Sequence, residues 1–376
     1  MSLPVALLLL APVAHAGLQR YRDLVVADQS ANERAPSHRI RITYLGVNGY
    51  QFEAGSHALL IDPYFTRASL WRISTNQTLT PDPARIATGL SHVRPRVDAI
   101  LVTHGHFDHL LDVSPIARKT GAKIVGSPTV ANLVRATGLA RGQCSVVKPG
   151  DRRTIGPWKI TVLPSAHDHV LGSTPYPGTL ARVPPLPERP NDWKLGEPLA
   201  FVIEANGRRI YLDSGGTPGV LPTGAGRIDL AILGVALPDS RQRYPAAVRA
   251  LEPRYVLPSH QDDFFAPAAR GFTFGKMTNF PAIRRMHTEE RLPGRLILLD
   301  YFRPWTYLKR QARRNCAIAA THGLIETTRR SPRSDSIRTA GAIHCELLRR
   351  PKGNQQKPSS RTISNPRRTS LRRRER

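Results

Sequence analysis

Cysteine is nearly missing from this chain of 376 residues, which holds only Cys144, Cys316 and Cys345. An odd, scattered set supports no disulfide framework, and Cys144 alone in the main body excludes a thiolate-rich zinc site there. Long apolar runs are missing as well. The N-terminal stretch from Leu3 to Val13 is too short for a comfortable bilayer span, and no other segment is apolar enough. That stretch ends in Ala14-His15-Ala16 before Gly17, a small-x-small pattern that predicts a signal peptide over residues 1–16, although no Lys or Arg precedes it. A periplasmic or secreted mature chain without a transmembrane span is expected, with an uncleaved anchor or a buried N-terminal segment as the alternatives.

Acidic residues are scarce, with 28 Asp and Glu against 55 Lys and Arg for a net charge of +27. The excess is unevenly spread, which argues against reading it as a nucleic-acid footprint. Residues 309–376 carry 19 Lys or Arg against 4 acids and so hold +15, leaving +12 on the first 308 residues. After Lys309 the chain is rich in Arg, Ser, Thr and Pro and poor in large apolar residues. It cannot bury enough surface to fold alone, and a disordered basic tail over 309–376 is expected. Its contrast with the body also fits an out-of-frame translation of the gene's end.

Between leader and tail, an N-terminal arm at 17–38 precedes one domain at 39–308. Strand-like runs separated by turn residues fall at 41–45, 50–54, 58–62, 99–103, 123–127, 145–148, 159–163, 199–205, 208–212, 230–234, 255–258 and 295–299. Helical stretches fit at 108–120, 128–137, 243–251 and 279–288. Early hairpins followed by alternating strands and helices predict an α/β body with sheets inside and helices outside. Residues 171–198 break the rhythm with seven prolines, Tyr176, Trp193, Arg182 and Arg189. A long irregular loop inside a domain reads either as a lid or as a surface excursion.

The densest chemistry lies in Thr103-His104-Gly105-His106-Phe107-Asp108-His109. Three imidazoles and a carboxylate sit on a strand-to-helix turn, after the apolar run Ala99-Ile100-Leu101-Val102. Neutral imidazole and carboxylate are ligands that zinc, iron and manganese accept. Three more strand ends deliver His or Asp: His167-Asp168-His169 after 159–163, Asp213 after 208–212, and His260-Gln261-Asp262-Asp263 after 255–258. Each alone reads more readily as structural, but together they describe ligands converging from adjacent strands. His167 is preferred over His169 because it follows its strand directly. Asp168, Asp262 and Thr103 are expected to orient the imidazoles from behind. The Asp62-Pro63 pair either buttresses the metal edge or simply turns the chain, and the turn is the preferred reading.

This ordered set resembles the metallo-β-lactamase superfamily of metal-dependent hydrolases, through the His-x-His-x-Asp-His signature at 104–109 and the later His167, Asp213 and His260. The resemblance covers about residues 39–303. It implies an αββα sandwich with the site at one edge of the paired sheets. It also implies a two-metal centre, with zinc expected and iron or manganese as alternatives. His104, His106 and His167 would hold the first ion, Asp108, His109 and His260 the second, and Asp213 would bridge them. Asp108 and Asp213 are then the catalytic carboxylates, and a metal-bridging hydroxide is the nucleophile on an ester, lactone or phosphodiester.

The absence of a ligand cysteine sets the chain apart from the antibiotic-degrading zinc enzymes of the superfamily. Ile42-Thr43-Tyr44-Leu45-Gly46-Val47-Asn48-Gly49-Tyr50, followed by Leu59-Leu60-Ile61-Asp62-Pro63, looks like the branch that includes ascorbate-phosphate lactonases and N-acyl-phosphatidylethanolamine phospholipase D. Members of that branch often carry a histidine shortly after the Leu-Gly, where this chain has Val47 and Asn48. A small-molecule substrate is expected, with the arginines of 171–198 favouring an anionic one, and no nucleic acid. The alternatives are an iron-dependent enzyme resembling the sulfur dioxygenases of this fold and a nucleic-acid binder acting through the basic tail. Oligomeric state is not legible.

Overall fold

Alternation along the first strands sorts side chains onto two faces, and the computed structural model shows what each face meets. It describes residues 17–28, 38–215 and 227–307. The first half builds β1 (Arg41–Gly46), β2 (Gly49–Ala54), β3 (His57–Ile61), α1 (Leu70–Ser74), α2 (Pro83–Leu90), β4 (Ala99–Leu101), α3 (Phe107–Leu110), α4 (Val113–Thr120), β5 (Lys123–Gly126), α5 (Pro128–Ala136) and β6 (Cys144–Val146). The second half builds β7 (Arg152–Ile155), β8 (Trp158–Pro164), β9 (Leu199–Ala205), β10 (Arg208–Asp213), β11 (Leu230–Gly234), α6 (Pro238–Leu251), β12 (Tyr255–Ser259), α7 (Phe280–Glu289), β13 (Arg295–Leu296) and β14 (Trp305–Thr306).

These strands form two seven-stranded sheets, ordered β14-β1-β2-β3-β4-β5-β6 and β13-β12-β11-β10-β9-β8-β7. In β3 and β4, Leu59, Ile61, Ala99 and Leu101 enter the core between the sheets, while Ala58, Leu60 and Ile100 enter a second core beneath α2, α4 and α5. The period of two in a strand makes one sequence serve both layers. α6 packs on β11 of the other sheet, with Tyr244, Ala247, Val248 and Leu251 buried. The architecture is an αββα sandwich.

β3, β4 and β5 run parallel, as do β10, β11 and β12, and β8 points the same way as β10 through their shared antiparallel neighbour β9. In such sheets functional groups gather beyond the carboxyl ends of the strands. β4, β8, β10 and β12 all end on, or within three residues before, a residue of the ligand set.

Several elements depart from the sequence expectation. The single helix expected at 108–120 is split into α3 and α4 at Leu111-Asp112. Buried Asp112 faces away from the helix and accepts the N–H groups of Phe65 (2.6 Å) and Thr66 (2.7 Å) and the Thr66 hydroxyl (2.5 Å). α6 begins five residues before the expected 243, on Pro238, and carries Pro245 within it. β13 stops at Leu296, and Leu298 bridges Val25 instead. α1, α2, β7 and β14 lie outside the expected elements.

Residues 17–28, expected as part of an arm, lie along the body, with Tyr21 edge-on to Phe274 and Phe280. The expected leader at 1–16 and tail at 309–376 fall outside the described residues. Among those residues, no helix is long and apolar enough to cross a membrane.

Candidate metal centre

β4 delivers the densest ligand segment to the sheet edge, and the next residues turn sharply into α3. Gly105 is required at that turn by close approach rather than by φ. A Cβ there would stand 2.2 Å from the Lys194 carbonyl oxygen, and the Gly105 N–H donates to Leu195 O at 2.9 Å. The 171–198 loop is thereby clamped to the ligand turn. His104, His106, Asp108 and His109 are all buried. Burying four such groups is costly unless each is paired or holds a metal.

Ligand atoms of His104, His106 and His167 lie within 4.8 Å of one another, and so do those of Asp108, His109 and His260. In the first triad, His104 Nε2 and His106 Nδ1 approach to 3.1 Å. The other nitrogens of these rings face fixed partners: His104 Nδ1 the Thr103 hydroxyl (3.1 Å), His106 Nε2 the Pro175 carbonyl (3.0 Å), His167 Nδ1 the Asp168 carbonyl (2.8 Å). A carbonyl can only accept, so His106 and His167 carry their protons on those outer nitrogens. Their inward nitrogens present lone pairs, which is the arrangement a metal ligand needs.

In the second triad, Asp108 Oδ2 lies 3.1 Å from His260 Nε2 and 3.5 Å from His109 Nε2. The two triads share a wall, with the His104 and His109 rings 3.9 Å apart. Burial, followed by the neighbouring imidazoles, holds His104 far below the usual histidine range. Burial and His167 do the same to His106, and burial lowers His167. Burial would raise the Asp108 carboxyl, but His109 and His260 hold it well below the usual range. Burial would lower His109, but Asp108 and Asp62 together raise it. An ionised carboxylate among imidazoles, with the first triad held neutral, is what a divalent ion requires, so the donor set fits one.

The principal residue behind the ligands is Asp62, which buttresses the metal edge, the reading placed second to a turn. It lies directly after β3 in left-handed backbone (φ 38) and is fully buried. Its Oδ2 is 2.8 Å from His109 Nδ1 and accepts from the Thr103 hydroxyl (2.6 Å) and the Asn48 amide (2.8 Å), while Oδ1 takes the Thr103 N–H (2.8 Å). Asn48, in the stretch where the resembling branch often has a histidine, thus anchors the anchor. Asn48 Oδ1 also receives the Ser259 hydroxyl (2.7 Å), tying the first sheet to the end of β12.

The three residues expected in that supporting role divide. Thr103 contacts His104 and His109. The Asp168 carboxylate turns to Arg243 and the Ser240 N–H, so only its backbone touches a ligand. Asp262 binds Arg67 and the Val47 N–H. His169 pairs with Asp239 through Nδ1 at 2.8 Å, away from the triads.

Asp213 is fully buried at the end of β10. It accepts hydrogen bonds from the Ser165 hydroxyl (2.5 Å), the Tyr211 hydroxyl (3.2 Å) and the Gly215 N–H (2.9 Å). Over the first triad, the 171–198 loop contributes Pro175 and the Tyr176 ring, which stands edge-on to His106 at 5.7 Å. Trp193 is buried beneath that loop, whereas Arg182 and Arg189 point to solvent. On the other side, Phe264 stands edge-on to His260 at 5.0 Å.

The family model described as the beta-lactamase superfamily domain matches residues 57–260. Among curated proteins, a UPF0173 metal-dependent hydrolase from Anaeromyxobacter dehalogenans is 28% identical over 256 residues, covering 64% of this chain and 81% of that protein. A second, from Rubrobacter xylanophilus, is 29% identical over 239 residues, covering 60% and 82%. Among solved structures, a metallo hydrolase from the archaeon Ignicoccus hospitalis aligns with a TM-score of 0.48 at 16% identity, over 72% of this chain and all of that one. With the family domain spanning more than half of its length and running from β3 to the last histidine of the second triad, this chain belongs to the metallo-β-lactamase superfamily as a metal-dependent hydrolase.

Proposed function

We propose that the protein is an exported two-zinc hydrolase that cleaves an ester, lactone or phosphodiester in a small substrate. The observation that carries this reading is the pair of triads standing wall to wall, His104 against His109. His104, His106 and His167 would hold one ion, Asp108, His109 and His260 the other, with Asp213 reaching between them. When bound, such ions acidify a water toward neutral pH and polarise the oxygen under attack.

The chain's own residues supply the rest. The outer partners Asp62, Thr103, Pro175 and Asp168 keep the inward nitrogens of His109, His104, His106 and His167 deprotonated and aimed. Ser165, Tyr211 and the Gly215 N–H orient the Asp213 carboxylate. Asp108 Oδ2, directed between two imidazoles, leaves Oδ1 to orient a nucleophilic water by accepting its proton. Pro175 and the Tyr176 ring lie against His106 of the first triad. Signal-peptide cleavage after Ala16 would place the enzyme outside the cytoplasm.

The test is a panel of lactone, carboxylester and phosphodiester substrates with the full chain and with Asp108→Ala, alongside metal analysis of protein purified without added metal. Two zinc ions per chain and an activity abolished by the substitution are expected. One iron per chain without hydrolysis would favour the oxygenase alternative and overturn the proposal.

A further inference from the structure

Four of the five triad histidines have a partner on the ring nitrogen that faces away from the cluster. His260 differs: its Nδ1 is buried and finds no hydrogen-bond partner among the described residues. Its aim must therefore come from its backbone, and that backbone is unusual. His260 adopts a left-handed conformation (φ 54), as do Val47 (φ 58) and Arg67 (φ 46). Such φ values are disfavoured for any side chain and most of all for a β-branched one, so they persist only where surroundings impose them.

Arg67 and Val47 meet at one buried ion pair, and His260 is bonded to Val47. The Arg67 guanidinium lies 2.7 Å from Asp262 Oδ2, and both side chains are sealed from solvent. The Asp262 carboxylate also takes the Val47 N–H, at 3.0 and 3.2 Å to its two oxygens, and the Tyr301 hydroxyl at 2.5 Å. Val47 in turn accepts the His260 N–H at 2.8 Å. The second guanidinium nitrogen donates to the carbonyls of Asp263 and Ala266, on the segment leaving His260, and to Tyr301. Gly46 makes room for this fork: a Cβ there would fall 1.7 Å from an Arg67 nitrogen. The planar fork thus grips the backbone after His260, while its carboxylate partner grips the strand turn that His260 is bonded to.

We propose that the Arg67–Asp262 pair is a positioning device for the second metal ion, holding the backbone that aims the His260 imidazole at Asp108. The inference rests on the two-metal reading. A pair serving stability alone could be exchanged for a neutral pair of similar shape without effect on metal binding, since buried ion pairs are often replaceable in that sense. A positioning pair could not.

The test uses the metal-stripped full chain, titrated with Zn2+ against a chromophoric chelator. The variants are Arg67→Met/Asp262→Asn, which keeps an acceptor for the Val47 N–H, and Ile283→Ala, which weakens the core at α7. In the double variant the second equivalent should bind about 10–100-fold more weakly, the range seen when a ligand's support is removed, with the first unchanged. Ile283→Ala should bind both as the parent does. If the double variant fails to fold, Arg67→Lys, which keeps the charge but loses the fork, must show the same selective weakening. Two equivalents in the parent and unchanged second-site affinity in the folded variant would overturn this inference alone. A parent that takes up one equivalent would overturn the two-metal reading and this inference with it.

Discussion

Asp62 Oδ2 lies 2.8 Å from His109 Nδ1, and the same carboxylate holds Thr103 by both its N–H and its hydroxyl. One residue at the end of β3 therefore sets the ring of a second-triad ligand and the backbone from which a first-triad ligand starts. Replacing Asp62 with Ala should weaken metal binding about 10–100-fold, as loss of a carboxylate behind a ligating histidine does elsewhere. Stability should also fall by roughly 1–3 kcal/mol, because the buried Thr103 N–H loses its acceptor. Asp62→Asn, which keeps one acceptor oxygen, should fall between. Chelator competition and urea denaturation measure the two effects separately; an Asp62→Ala protein with parental metal affinity would remove Asp62 from the site.

Asp112 makes a pH-dependent contribution of opposite sign to the usual carboxylate. Burial pushes its pKa up to about 6, against the pull of the Thr66 and Phe65 hydrogen bonds. A raised folded-state value means the folded protein holds its proton longer than the unfolded chain does. The stability it contributes is full below the unfolded value near 4 and is lost as pH rises through about 6. Raising a carboxyl pKa by that much corresponds to a loss of roughly 3 kcal/mol. Asp112→Asn should flatten that slope, so the difference in stability between parent and variant should change between about pH 4 and 6 and be constant above about 7. Urea titrations of metal-free protein across that range supply the measurement.

Most of the sandwich was legible because buried strands announce themselves by alternation and by the turn residues around them. What escaped was short or polar. α1 buries none of its side chains, and α2, despite Asp82 capping it and Pro83 opening it, is only eight residues long. The ligands were legible because histidines at that spacing have few structural uses. Their supports were not, because support depends on which strands lie side by side. Asp62 meets His109 only because β3 and β4 pair in parallel, and an Asp-Pro dipeptide by itself reads as a turn. Asp168 and Asp262 sit next to ligands in sequence, yet the strained backbone at His260 and the α6 start beyond Asp168 send both carboxylates elsewhere. Adjacency in sequence is a poor guide where the backbone leaves a strand.

Metal should contribute strongly to stability. Binding to the folded state alone stabilises it by RT ln(1 + [L]/Kd), about 4 kcal/mol at a free metal concentration a thousand times Kd. Stripping the metal leaves two buried triads whose lone pairs converge without a cation. A chelator should therefore lower Tm, and zinc should restore it in a concentration-dependent manner. His106→Ala should shrink the zinc-dependent rise, while His169→Ala, whose ring faces Asp239, should leave it intact. An equal loss in both variants would count against assigning the ligand role to one histidine and not the other.

The loop over the site offers a test with one readout that does not depend on metal. Gly105 sits under the Lys194 carbonyl with no room for a methyl group, and it lacks the positive φ that would add backbone strain to the comparison. Gly105→Ala must push 193–195 outward, because the β4 side is fixed by its sheet neighbours and the Leu133 side chain closes the remaining direction. Overpacking of this kind costs about 1–3 kcal/mol. The displaced segment carries Trp193, now buried, so the variant's tryptophan emission should shift to the red. Leu195 is also bonded to Tyr176 O, so the same movement should loosen Pro175 and Tyr176 over His106 and lower activity. Gly142→Ala, at a position where a Cβ meets nothing, is the matched control and should change neither. A Gly105→Ala protein with parental emission and activity would show that the loop yields without disturbing the first triad, and would confine its role to the surface.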